Sequence, residues 1–126
     1  MRPVMVVEDD DDIRMTLRFL LEGAGYAVTE AADGVAALDL LHAQVVANVV
    51  LLDMLMPRLS GMEVLRAVAA TPTLAQMHRI ILLTARAQSF PPDDALLLDR
   101  LNVPVMRKPF EIEDLLAAVH AAQQRV

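Results

Sequence analysis

The stretch Val49-Val50-Leu51-Leu52-Asp53, running on into Met54-Leu55-Met56-Pro57-Arg58-Leu59-Ser60-Gly61, decides the fold. Four consecutive aliphatic residues read as a strand buried on both faces, as in a parallel sheet. The run stops at an acid. Pro57 then breaks the chain, and Ser60-Gly61-Met62-Glu63 has the spacing of a capping box before a helix carrying Val64, Leu65 and Val68. A buried strand, a loop and a capped helix make one βα unit.

The same unit recurs on either side. Val4 to Val7 is a short apolar run followed by Glu8-Asp9-Asp10. Ile13, Leu17, Leu20 and Leu21 then recur at helical spacing, and Gly23 and Gly25 end that helix. Ala27 to Thr29 reads as a second strand, and Asp33 can N-cap a helix over Val35 to Leu41. Ile80 to Leu83 is a fourth strand ending at Thr84. Pro91-Pro92-Asp93-Asp94 starts a helix over Leu96 to Leu101. Val103 to Met106 is a weak fifth strand with Pro104 inside it, and a last helix covers Ile112 to Gln123. Five alternating strands and helices predict an α/β, doubly wound parallel sheet in a single domain over residues 1–126.

Composition narrows the function. The 126 residues are 56% hydrophobic and only 3% aromatic, so aliphatics and the eight methionines are expected to fill the core. The absence of cysteine excludes thiol nucleophiles, disulfides and Cys-based zinc sites. A net charge of −6 argues against nucleic-acid or membrane-surface binding. Met1 to Asp10 has no signal-peptide pattern, and Val45 to Leu52 is far too short to span a bilayer, so a cytoplasmic protein is expected.

In open α/β sheets, ligands bind beyond the carboxyl ends of the strands. Glu8, Asp9 and Asp10 follow the first strand, Asp53 ends the third, Thr84 ends the fourth and Lys108-Pro109 follows the fifth. Singly, each has an ordinary reading: acids start helices, a threonine ends a strand, Lys-Pro makes a turn. For Asp10, Asp11 and Asp12 the helix start is the preferred one. Jointly, they suit phosphoryl transfer. Clustered carboxylates need a hard cation, with oxygen ligands that suit Mg²⁺ or Mn²⁺. A carboxylate can accept a phosphoryl group, and a lysine, a hydroxyl and backbone N–H groups can stabilise it.

Val4-Met5-Val6-Val7-Glu8-Asp9-Asp10, the run from Leu51 to Gly61, Leu82-Leu83-Thr84-Ala85 and Arg107-Lys108-Pro109-Phe110 together resemble the response-regulator receiver family, across essentially the whole chain. The resemblance implies the flavodoxin-like receiver fold with strand order 2-1-3-4-5. It implies Asp53 as phosphoacceptor, served by a histidine kinase or histidine phosphotransfer protein, with an unknown downstream protein as target. Glu8, Asp9, Asp53 and the backbone carbonyl of Leu55 would hold the metal. Met54, Thr84, Ala85 and Lys108 would contact the phosphate, Thr84 carrying the switch. Pro109 would follow a cis peptide bond, and Pro57 and Gly61 would shape the loop after Asp53. Arg14, Arg18 and Phe110 are candidates for partner docking.

Two departures from the family pattern, and the residues at two further positions, bear on signalling. Val105 stands where receivers commonly have an aromatic ring. The segment from Thr84 to Lys108 is about two residues longer than usual and lacks the common Ala-Gly-Ala turn. Leu55 and Arg86 occupy the two positions that flank the hydrolytic water. The competing readings are a metal-dependent phosphatase or phosphotransferase acting on a small molecule, a phosphate-independent binding module and a flavodoxin. Leu55 argues against the first, since a second Asp is often needed there. The intact acid, Thr and Lys set argues against the second, and the acids after the first strand argue against the third.

Overall fold

The computed structural model describes residues 1–85 and 89–124. Its elements run β1 (Val4–Val7), α1 (Asp11–Gly23), β2 (Val28–Ala31), α2 (Gly34–Ala43), β3 (Val49–Asp53), α3 (Gly61–Ala69), α4 (Pro72–Met77), β4 (Arg79–Thr84), α5 (Pro92–Arg100), β5 (Val105–Arg107) and α6 (Ile112–Gln124). The strands form one sheet, all parallel, in the order β2-β1-β3-β4-β5. Every residue of β1 and β3 is buried, whereas the edge strands β2 and β5 are partly open, which is why only the central strands are unbroken aliphatic runs.

Alternation along each strand divides the core in two. Met5, Val7, Val50, Leu52 and Leu82 face α2, α3 and α5. Val4, Val6, Val49, Leu51, Ile81 and Leu83 face α1 and α6. Of the eight methionines, Met5 and Met62 are the ones in the buried core, while Met15 is 65% exposed; the aliphatics fill most of the interior.

Three expectations need correction. The fifth strand begins at Val105 and not at Val103. Pro104 has no N–H to give a ladder, so it sits just before the strand, where its carbonyl accepts from the Leu82 N–H at 3.0 Å. A further short helix, α4, lies before β4; it starts on Pro72 and buries Leu74 alone, too little periodicity to read in advance. Ile13 shares the helical spacing of the apolar stripe of α1 but is 42% exposed, and Leu17 and Leu21 are the residues that α1 buries.

The loop joining β3 to α3 is clamped at both ends. The capping box is complete: the Glu63 N–H donates to Ser60 Oγ at 3.2 Å and the Ser60 N–H to Glu63 Oε1 at 3.0 Å. Arg58, at φ 70°, reaches back to the Asp33 carboxylate at 3.1 Å, whose other oxygen caps α2 through the Ala36 N–H. A Cβ on Gly61 would lie 2.6 Å from the Asp53 carbonyl oxygen and 2.9 Å from Met54 Cα. Both obstacles are backbone, so neither can swing aside.

Gly61→Ala should therefore cost about 2 kcal/mol or more in denaturant unfolding, by forcing the loop away from the end of β3. Gly23→Ala, whose Cβ meets nothing within 4 Å, should change stability by no more than about 0.5 kcal/mol. Equal effects of the two would show that the close approach at Gly61 does not constrain the loop.

Candidate functional site

Each site residue lies where a ladder hydrogen bond carries a strand one step further. The Glu8 N–H donates to the Ala31 carbonyl (3.1 Å), extending β1 along β2. The Lys108 N–H donates to the Thr84 carbonyl (2.7 Å), extending β5 along β4. The Met54 N–H donates to the Leu83 carbonyl (2.9 Å), extending β3. Strand register thus brings Glu8, Asp53, Thr84 and Lys108 to one edge of the sheet, although 100 positions separate the first from the last.

Asp53 is 6% exposed and Glu8 2%, while Asp9 is open to solvent. Each of these three carboxylates offers an oxygen, and the three oxygens lie within 4.8 Å of one another. Lys108 Nζ is 3.0 Å from Asp53 Oδ1 and 3.7 Å from Glu8 Oε2. One ammonium does not satisfy this pocket: Glu8 Oε2 is buried without a hydrogen-bond partner. Burial, and then the neighbouring Asp53 charge, push the Glu8 carboxyl up to about 7. A divalent cation bound by hard oxygen donors would relieve both costs, so the side chains fit such an ion. The next acid serves the fold: Asp10 N-caps α1 through the Ile13 N–H at 2.9 Å, and Asp11 and Asp12 fill the first helical turn.

Thr84 is buried, and its hydroxyl donates to the Met54 thioether sulfur at 3.2 Å, a contact that sequence reasoning missed. Met54, Leu55, Thr84 and Ala85 line a cleft of about 330 Å³ beside the carboxylates, with Leu55 73% exposed at its rim. Because the Met54 N–H is engaged with Leu83, it can reach a phosphate only by leaving that bond. The Lys108–Pro109 peptide bond is cis. Arg86 lies outside the described residues.

The docking candidates are separated by their surroundings. Arg14 donates to the Glu8 carbonyl (2.8 Å) and pairs with Asp11 (2.5 Å) and Glu30 (3.5 Å). Arg18 pairs with Glu30 (2.6 Å) and Glu22 (3.4 Å). Both guanidinium groups are thus matched within the chain. Phe110 instead lines an open groove of about 300 Å³ with Ile13, Leu17, Leu20 and Ile112. Exposed Ile13 could have signalled this groove, but a helical stripe does not say which of its members a neighbour covers.

Comparison with known proteins agrees with this geometry. Residues 4–120 match the family model of the response regulator receiver domain. The uncharacterized transcriptional regulatory protein YkoG of Bacillus subtilis is 41% identical over 119 residues, 94% of this chain and 50% of that protein. The transcriptional regulatory protein CpxR of Escherichia coli is 35% identical over 127 residues, 99% of this chain and 50% of its own length. The chain therefore spans about half the length of the curated relatives it matches. Among solved structures, the chemotaxis protein CheY4 of Vibrio cholerae has a TM-score of 0.79 at 28% identity, over 97% of this chain and 98% of that one. The response regulator TrrA of Thermotoga maritima, in complex with Mg²⁺–BeF, has a TM-score of 0.80 at 28% identity, over 97% and 99%.

The raised Glu8 carboxyl makes the metal-free fold sensitive to pH. A folded pKa of about 7 against 4.5 means that the folded chain holds this proton more tightly than the unfolded chain. The associated stability is complete below the lower value and is lost as pH rises through the upper one. Glu8→Gln keeps the uncharged shape and should gain on wild type as pH rises from about 5 to about 8, measured by urea midpoint in EDTA. The buried His78, whose pKa burial lowers, has the opposite slope but is common to both chains. A difference between the two chains that stays flat across this range would refute the account of Glu8.

Proposed function

The chain belongs to the response regulator receiver domain family, and from that premise we propose that it is switched by phosphorylation of Asp53 in a reaction that requires a divalent metal. As a receiver of two-component response regulators it is a signalling domain and not a classical enzyme. The observation that carries the finer reading is the buried Asp53 carboxylate, 3.0 Å from Lys108 and within the three-carboxylate cluster.

In this reading one Asp53 oxygen attacks the phosphorus of a phosphohistidine, the bond from phosphorus to imidazole nitrogen breaks, and an acyl phosphate forms. Glu8, Asp9, Asp53 and the Leu55 carbonyl would hold Mg²⁺ or Mn²⁺. When bound, the cation offsets the negative charge of the pocket and screens the incoming phosphoryl oxygens. Lys108 exchanges its Asp53 partner for a phosphoryl oxygen, and Thr84 turns its hydroxyl toward the same group. The Ala85 N–H completes the donor set, and the Met54 N–H would join it only by giving up its bond to Leu83.

The phosphodonor, a histidine kinase or phosphotransfer protein, docks beside the site on the groove that Phe110 lines with Ile13, Leu17, Leu20 and Ile112, whereas Arg14 and Arg18 are engaged with Glu30. That groove lies two residues beyond Lys108, and its apolar lining suits a helical partner. Among the described residues no helix is long and apolar enough to cross a membrane, and we assign the domain to the cytoplasm. An output directed at DNA rests on likeness to longer transcriptional regulators; a net charge of −6 gives the receiver itself no electrostatic attraction for nucleic acid.

With acetyl phosphate and Mg²⁺, intact-mass analysis should show the gain of one phosphoryl group, lost in Asp53→Asn and in EDTA. Modification of Asp53→Asn to the wild-type extent would overturn the assignment. Lys108→Ala should keep metal affinity, since removing a cation relieves repulsion, while losing most of its response to phosphorylation.

The exposed Leu55 offers an attacking water no hydrogen bond and puts bulk at the mouth of the cleft. The acyl phosphate should therefore be long-lived, and Leu55→Asn should shorten its half-life by about tenfold, of the order of one oriented hydrogen bond to the water. Decay of phospho-Asp53 at the wild-type rate in this variant would disprove the shielding.

A further inference from the structure

The contact between Thr84 and Met54 has a consequence for the switch. Asp53 and Leu83 are register partners, and the Met54 N–H to Leu83 carbonyl bond carries the ladder beyond them. Met54 and Thr84 thus stand side by side, on the face of the sheet that packs α2, α3 and α5, where Met54 is partly buried against the core. The Met54 backbone has little freedom. Its N–H is held by Leu83, its carbonyl accepts from the Gly61 N–H at 2.9 Å, and Gly61 runs so close that a Cβ added there would lie 2.9 Å from the Met54 Cα. What remains adjustable is the side chain, and its sulfur lies 3.2 Å from Thr84 Oγ1.

A threonine hydroxyl carries one proton. Given to Met54, that proton is not available to a phosphoryl oxygen, so the two arrangements exclude each other. A thioether is a weak acceptor on a flexible stem, and the bond that must be broken is correspondingly cheap. We propose that Met54 is a positioning residue: its sulfur holds the Thr84 hydroxyl in the resting arrangement, and its strength as an acceptor sets how readily Thr84 turns to the phosphoryl group. This rests on the reading of Asp53 as phosphoacceptor. It assigns to the residue following the phosphoacceptor, through its side chain, a part in the balance between resting and activated states.

The test is a pair of variants with opposite effects. Met54→Leu keeps the volume and removes the acceptor; Met54→Gln keeps the length and supplies a stronger one. Titration with beryllofluoride and Mg²⁺, followed by amide NMR shifts, should show affinity rising about threefold in Met54→Leu and falling by a similar factor in Met54→Gln. In a Thr84→Ala background, which also binds the mimic more weakly, neither substitution should alter affinity further. The same change in both backgrounds would mean that Met54 acts by packing alone and would overturn the proposal.

A second readout needs no phosphate mimic. In the metal-free chain the Thr84 χ1 angle, from three-bond couplings to its methyl carbon, should be fixed in wild type and averaged in Met54→Leu. Identical rotamer populations in the two would overturn the proposal whether or not the chain takes beryllofluoride. If wild type fails to take it, the phosphoacceptor reading falls, and the rotamer result still decides whether Met54 holds Thr84.

Discussion

Three carboxylates brought close together in a largely desolvated pocket are the constraint on which the rest of this structure depends. Glu8, Asp9 and Asp53 repel one another, and two of them are buried. No apolar contact offsets that repulsion. Lys108 answers part of it, and the Glu8 oxygen that meets Lys108 only at 3.7 Å and accepts no hydrogen bond marks what is left. A fold optimised for stability alone would place a neutral residue at one of these positions. On the proposed reading, the unfavourable charge is a local cost that would become useful when a cation and a phosphoryl group arrive together, because the attraction for the first is already stored in the site.

The sheet makes this cost sustainable. β1 and β3 are buried along their whole length, and the two halves of the core are filled by aliphatics on either side. Rigidity there lets the ends of the strands hold like charges at fixed spacing. On the other side of the site, among the described residues, lie the Thr84 hydroxyl, the Met54 side chain and the cleft they line with Leu55 and Ala85. On the proposed reading, a stiff acidic half and an adjustable hydroxyl half would let a chemical change at Asp53 be felt at Thr84 without disturbing the core.

Much of this was legible in one dimension. The aliphatic runs ending at Glu8, Asp53 and Thr84, the Ser60–Glu63 capping box and the Asp33 cap are local signals, and the structure places them as the periodicity implies. Less legible were α4, which has a single buried apolar residue, and the fifth strand, where Pro104 obscured the boundary. The α1 stripe was read too broadly: Ile13 has helical spacing with Leu17 and Leu21, but a periodic pattern records the face on which a side chain lies and not whether anything covers it.

By itself the sequence determined the alternation of strands and helices, the parallel character of the buried strands and the acids, hydroxyl and amine at their carboxyl ends, because each follows from the order of residues within one element. Tertiary structure alone decided which of those groups meet. Register set Lys108 3.0 Å from Asp53, matched Arg14 and Arg18 to Glu30, and laid the Met54 sulfur beside Thr84. The reason is physical: an element's periodicity sets the faces of that element, whereas a contact across the sheet depends on how neighbouring strands are offset and which rotamer the space between them admits.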